Sequence, residues 1–447
     1  MTVSIVPRPE SIMLSADTFA LEAHTTILSQ PGCEAVSRLL QNRLRPSTGF
    51  DFTISTHGEA GESSIVIELD PALPPSGYEI SIDASRVLLR GGDAAGAFHA
   101  TQTFLQLCPP AVFRRMTTPG LRWEVPGVEI SDHPRFGWRG MLIDVSRHFF
   151  GRDAIFKLID ALALHRMNVL HLHLTDDQGW RIEINRYPRL TEVGSWRSHS
   201  VIDSAELRPA GAEPTSDSSP HDGFFSQDDL REIVAYAAER YITVMPEIDL
   251  PGHSQAAIAA YPELGNTSEP REVWTDWDII SPYVLNVDED TMQFYRNVLD
   301  EVLEIFPSEF IHIGGDEVPK DEWRASPTAQ ARMKELGLES EDELQSWVIG
   351  SFERYLAARG RRLVGWDEIL EGGLPSGATV MSWRGTEGGI AAAEAGHDVI
   401  MTPDNDTYLY HWQSDDRAGE PLGVDPVLPL RHIYEYDPMP AGLTASG

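Results

Sequence analysis

From about Gly140 onward, short apolar runs alternate with longer segments whose apolar residues recur every three to four positions. The runs are "GMLIDVS", "NVLHLHLTDD", "ITVMPEIDLPGH", "FIHIGGDE", "RLVGWDE", "TVMSWRG" and "DVIMTPDNDTYLY". Between them the periodicity predicts helices over about 152–166, 227–240, 288–306, 341–359 and 386–396. Ser226 followed by Asp229 reads as a capping box for one of these helices. Strands this uniformly apolar are buried on both faces, as in a parallel sheet covered by helices. Up to about Pro134 the pattern differs: strand-like "SSIVIELD", "YEISID" and "RVLLRG" precede "GDAAGAFHATQTFLQLC", whose spacing suits a helix. "VEISDHPRFGWRG" reads as a linker, and 198–222, rich in Ser, Pro, Gly and Asp, as a long surface loop.

Nearly every strand after Gly140 ends in chemistry-bearing residues: Asp176 and Asp177, Glu247 and His253, Asp316 and Glu317, Trp366 and Asp367, Trp383 and Arg384, Tyr408. A (β/α)8 TIM-type barrel presents reactive groups at successive strand C-termini, whereas a doubly wound sheet gathers them at its switch point. The fold class expected is therefore α/β. A barrel over 135–447, with seven strands countable and the last apparently missing, follows a small α/β or α+β unit over 1–134.

Composition narrows the function. In 447 residues, 69 acidic side chains face 35 basic ones, a formal charge of −34, which repels phosphate backbones and anionic lipid. No nucleic-acid or membrane partner is expected. No apolar run reaches the roughly 18 residues of a membrane span, and "MTVSIVPRPE" lacks the layout of a signal peptide, so a cytoplasmic location is expected. Cys33 and Cys108 are too few for a disulfide framework and read as buried free thiols. "RGGDAAGA" lacks the Lys-Ser/Thr of a phosphate loop.

The adjacent carboxylates Asp316 and Glu317 follow "FIHIGG", whose glycines clear side chains from the strand end. Carboxylates with tryptophans nearby suggest glycoside hydrolysis, which needs an acid on one side of the bond and a nucleophile or base on the other. Neighbouring residues do not flank one bond from opposite faces, because successive side chains of an extended chain diverge. One carboxylate can be the acid; the nucleophile is then missing from the motif, unless the substrate carries it.

The set "HLHLTDDQGWRIEINRYPRL", "ITVMPEIDLPGHS", "FIHIGGDEVPK", "GWDEIL" and "MSWRG" resembles the β-N-acetylhexosaminidases of glycoside hydrolase family 20. "SIVPRPE" and "GAFHATQTFLQL" resemble that family's accessory domain, so the likeness spans essentially the whole chain. It implies an exo-acting, retaining enzyme that removes terminal N-acetylhexosamine from oligosaccharides or glycoconjugates, without metal or organic cofactor. By the same resemblance, Glu317 is the general acid/base, its proton held by repulsion from Asp316. Asp316 orients the substrate's 2-acetamido group, whose oxygen attacks the anomeric carbon, and Tyr408 hydrogen-bonds that oxygen. Arg139 clamps hydroxyls of the terminal sugar, Trp366 and Trp383 wall the acetamido pocket, and Asp176 and His253 form a relay to Glu317.

Two departures stand out. Tyr410 occupies a position where many relatives carry an aspartate, and the eighth strand with its Trp-x-Glu motif is not within these residues. The chain is accordingly expected to be an incomplete version of a longer one, with weak activity and poor solubility on its own. A weakly catalytic or non-catalytic amino-sugar-binding barrel is the alternative. A less favoured one is a metal-dependent barrel hydrolase, because "HLH" puts His171 and His173 on one face of a strand with Asp176 and Asp177 close by.

Overall fold

The structure, a computed structural model, describes residues 3–58, 61–205, 208, 212–373, 377–441 and 443. Two compact units emerge: Met1–Met141 with Ile155–Val169 and Ala235–Thr243, and Leu142–Ala154 with Leu170–Val234 and Val244–Gly447.

The N-terminal sheet has seven strands, in the order Ser11–Leu21, Trp123–Asp132, Tyr78–Ile82, Arg86–Gly91, Ser64–Leu69, Thr26–Ser29 and Ile54–Ser55. Helices Glu34–Thr48 and Ala94–Leu107 accompany it, and Ile65, Ile67, Ile80, Val87 and Leu89 are fully buried in its core. "VEISD" is not linker: it completes Trp123–Asp132, which pairs antiparallel with both Ser11–Leu21 and Tyr78–Ile82. Pro126 and Gly127 break the alternation that would have announced this strand. At the "RGGD" turn a Cβ on Gly91 would fall 2.0 Å from Ala97 N, and one on Gly92 2.2 Å from Pro74 O. These glycines serve close packing, and Asp93 fills the turn by accepting the Gly96 N–H at 2.8 Å. Cys33 and Cys108 are buried free thiols.

The second sheet has the order Val399–Met401, Thr379–Ser382, Arg362–Trp366, Phe310–His312, Thr243–Glu247, Val169–His173 and Gly140–Asp144. The first five are parallel neighbours by register. Val169–His173 runs the same way, since Thr243 donates to Asn168 O at one end and Leu174 to Glu247 O at the other. The seven-stranded parallel sheet alternating with helices is the TIM-type architecture that the strand-end chemistry predicts.

Helices Arg152–Leu164, Gln227–Ala238, Glu289–Ile305, Glu341–Ala357 and Glu387–Glu394 lie where the periodicity puts them. Ser226 and Asp229 form the capping box: Ser226 donates through N–H and Oγ–H to Asp229 Oδ2 at 3.0 and 2.6 Å, and Asp229 N–H donates back to Ser226 Oγ at 3.1 Å. The helices Asp321–Ala325 and Pro327–Leu336 have no counterpart in the sequence reading, and the second buries few side chains. The 198–222 loop is pinned by bridges Val201–Ser216 and Arg197–His221, with 206, 207 and 209–211 outside the described residues. Among the described residues no helix is long and apolar enough to cross a membrane.

Candidate active site

After His312 the chain leaves the fourth strand through Gly314 and Gly315, both left-handed at φ 71° and 92°. A Cβ on Gly314 would sit 1.6 Å from Asp249 Oδ1, so only glycine passes over that carboxyl. Glu317 is itself left-handed at φ 47°, a conformation costing about 1–3 kcal/mol in a non-glycine residue and concentrated at functional sites. The doublet's side chains are 16% and 32% exposed, for Asp316 and Glu317 respectively. Asp316 is held inward while Glu317 reaches solvent.

His253, also left-handed at φ 47°, sits between them and the strand ends. Its Nδ1 lies 3.1 Å from Asp176 Oδ1, and its Nε2 lies 3.4 Å from Glu317 Oε2 and 3.5 Å from Asp316 Oδ2. Asp176 Oδ2 in turn meets His173 Nε2 at 2.7 Å and Arg147 Nη1 at 2.8 Å. Asp176 thus hydrogen-bonds His253, whose Nε2 faces Glu317 without a hydrogen bond. Asp316 Oδ1 is buried and has no hydrogen-bond partner.

The aromatic residues occupy two levels. Trp366 is 6% exposed, donates Nε1–H to Glu247 Oε1 at 3.0 Å and stacks on His171. Trp383 lies nearly parallel to Tyr408, 6.4 Å between ring centroids at 20°, and donates Nε1–H to Glu368 Oε2 at 3.0 Å. Tyr408 follows the short helix Asp404–Thr407 and is not part of the last strand. Tyr410 is exposed and spends its hydroxyl on Asp404 Oδ1 at 2.7 Å.

Model-based comparison of the sequence finds "Glycosyl hydrolase family 20, catalytic domain" over 136–446 and "Glycosyl hydrolase family 20, domain 2" over 2–133. The chain belongs to glycosyl hydrolase family 20. It is 44% identical to a beta-hexosaminidase of Porphyromonas gingivalis over 99% of its length, and 39% identical to one of Vibrio furnissii over 98%. It spans 55% of the first relative and 69% of the second. Among solved structures, a family 20 beta-N-acetylhexosaminidase of Streptomyces coelicolor superposes with TM-score 0.80 at 31% identity, covering 97% of this chain and 81% of that one. A mutant Streptomyces plicatus beta-hexosaminidase in complex with product GlcNAc gives 0.80 at 30%, covering 99% and 82%.

One expected site residue lies elsewhere in this family 20 chain. Arg139 precedes Gly140, the first residue of its strand, and so stands at the opposite end of that strand from Asp144. Its Nε–H and Nη1–H donate to the carbonyls of Arg166 and Phe136, both at 2.9 Å. That fork braces backbone carbonyls at the N-terminal end of the strand. Arg147 stands just past the C-terminal end of the strand, bonded to Asp144 Oδ2 at 2.9 Å as well as to Asp176. The rule that selects strand-end residues marks it in "DVSRHFF", whereas Arg139 precedes the strand.

His171 and His173 converge on one buried carboxylate, that of Glu247. His171 Nε2 and His173 Nδ1 lie 2.8 and 2.6 Å from Glu247 Oε2, and His312 Nδ1 lies 2.9 Å from Glu247 Oε1. The second ring nitrogen of His173 faces Asp176. Of these, His173 Nδ1 hydrogen-bonds Glu247, His171 Nε2 has no hydrogen-bond partner, and His312 Nδ1 accepts the Gly314 N–H at 3.0 Å. Asp177 is likewise committed, accepting the backbone N–H groups of Gln255 and Ser281 at 3.0 and 3.1 Å. His173, His253, Asp176 and Glu247 form a buried ion-pair network.

Electrostatics divide the buried groups. Burial works against charge on Asp176, Glu247, His173 and His253, but their mutual attraction, with Arg147, overrides it. The two carboxyls are held well below the usual range and the two imidazoles well above theirs, so all four are ionised at neutral pH. Burial lowers His171 to about 4, leaving it neutral. Burial, reinforced by neighbouring anions, instead raises Asp249 well above the carboxylate range, and raises Asp316 and Tyr408 in the same sense. Glu368, buried and close to Asp316, is pushed up to about 8. Sequence reasoning missed Arg147, which its strand-end position marks, and also Asp249, Glu368 and Glu247 as a hub, whose partners are distant in the chain.

Proposed function

We propose that this chain is an exo-acting, retaining β-N-acetylhexosaminidase, with an accessory domain over 1–134 and a barrel over 135–447. The observation that carries the reading is a carboxylate pair facing one imidazole: His253 Nε2 lies 3.4 Å from Glu317, 32% exposed, and 3.5 Å from Asp316, 16% exposed. A carboxylate oxygen held inside a site accepts an N–H donor, and a 2-acetamido group has one. Anchored so, the amide turns its carbonyl oxygen toward the anomeric carbon, forming the C1–O bond as the glycosidic bond breaks. Glu317 gives its proton to the leaving oxygen, then takes one from the water that opens the oxazolinium ring. Two displacements at C1 return the original configuration.

His253 and Asp176 orient Glu317, and the parallel rings of Trp383 and Tyr408 offer an apolar wall with a hydroxyl for the acetamido oxygen. Arg147 takes the sugar-hydroxyl role expected of Arg139, since its guanidinium is anchored at the C-terminal rim beside Asp176. The beta-hexosaminidases and the GlcNAc-bound family 20 structure to which the chain is similar support the same substrate class.

The test compares an aryl N-acetyl-β-glucosaminide with the matching aryl β-glucoside, which lacks the acetamido nucleophile. Release of the aryl alcohol from the first alone is expected. Comparable rates on both, or sugar trapped covalently on a side chain, would remove the substrate-assisted mechanism.

A further inference from the structure

Asp249 lies directly beneath the catalytic doublet and has no part in the reaction as described so far. It is 1% exposed, and the turn at Gly314 closes over it. Its Oδ1 accepts one long hydrogen bond, from Gly315 N–H at 3.3 Å, and its Oδ2 is buried with no partner at all. One oxygen of Asp249, one nitrogen of His253 and one oxygen of Asp316 lie within 4.8 Å of one another.

The nearby cations are already committed. Arg147 serves Asp144 and Asp176, His173 serves Glu247 and Asp176, and His253 spans Asp176 and the doublet. The groups acting on Asp249 are the carboxylates of Asp316 and Glu247 and the imidazoles of His253 and His173. A buried carboxylate with a single long N–H donor and two anionic neighbours is relieved by taking up a proton. The direction in which burial moves Asp249 agrees.

We propose that Asp249 is a protonated positioning residue, a neutral carboxylic acid packed under Asp316 that leaves Asp316 as the ionised partner for the substrate's amide N–H. The role of Asp316 rests on the function proposed above; the protonation of Asp249 does not. A neutral acid adds no third negative charge to the pocket and has an O–H to direct at a neighbouring carboxylate. The same side chain ionised would repel Asp316 and drive protonation of the very oxygen that must accept.

The experiment uses the full chain and its Asp249→Asn variant, which keeps shape and neutrality. Infrared difference spectra at neutral pH should show a protonated-carboxyl band in the parent that the variant lacks. Absence of that difference overturns the proposal, whether or not the chain is an enzyme. Kinetics on the aryl N-acetyl-β-glucosaminide across pH give the second readout. Asp249→Asn should keep kcat within about threefold with both pH limbs unmoved, while Asp249→Ala, with thermal melting as the folding control, loses on the order of a hundredfold. A hundredfold fall in kcat for Asp249→Asn, or a shifted acidic limb, overturns the proposal, because replacing a neutral group by a neutral isostere changes no charge. A parent that shows the band but hydrolyses neither substrate sinks the functional reading and leaves the protonation standing.

Discussion

Arg139 and Arg147 are eight positions apart in sequence and do opposite work. Arg139 spends its guanidinium on two carbonyls, so Arg139→Ala leaves both unsatisfied, a loss of roughly 1–3 kcal/mol in stability. Its KM for an aryl N-acetylglucosaminide should match that of the parent. Arg147→Lys keeps a cation beside Asp176 but removes the planar fork, so KM should rise about tenfold while the melting temperature holds. A rise in KM for the Arg139 variant with none for Arg147→Lys would reverse the assignment. The sequence made the doublet legible, since two carboxylates after a glycine pair are a local signal. Arg147 was legible by its place just past a strand end, but its bonds to Asp144 and Asp176, and those of Arg139 to backbone carbonyls, were not.

At the scale of elements, the turn from the fourth strand shows how backbone conformation supports chemistry. Gly314 has two reasons to be glycine, its φ of 71° and the Asp249 carboxyl beneath it; Gly360 shares the φ of 71° but has nothing within 4 Å of an added Cβ. Gly360→Ala should therefore cost only the left-handed penalty, about 1–2 kcal/mol, with activity kept. Gly314→Ala must displace Asp249 and with it the floor of the site, so it should lose nearly all activity and melt far lower. Equal effects from the two alanines would show that the close approach does not matter. The barrel strands and five helices were legible because their periodicity is strong. Ser11–Leu21 was not, since an exposed edge strand carries little of the half-buried alternation by which strands are read. Pro327–Leu336 escaped similarly, with only Ala329 and Met333 buried.

For the molecule as a whole, the excess of carboxylates is the dominant electrostatic fact. Of the 35 basic residues many are already paired, and the chain still carries a formal −34. The strong interactions at the site are nearly all buried: Asp176, Glu247, His173 and His253 are each 4% exposed or less. Salt screens exposed charges over a Debye length of about 10 Å at 0.1 M and reaches buried pairs far less. Added salt should therefore relieve surface repulsion while leaving the catalytic network intact. The expected outcome is a melting temperature that rises from about 10 to about 200 mM sodium chloride, with kcat/KM on a neutral aryl substrate nearly constant over that range. Melting that falls with salt would mean that surface ion pairs such as Arg90 with Glu68 and Glu79 outweigh the net repulsion. A kcat/KM that falls in parallel would place solvent-screened charges inside the site, against the burial of its four ionised core groups.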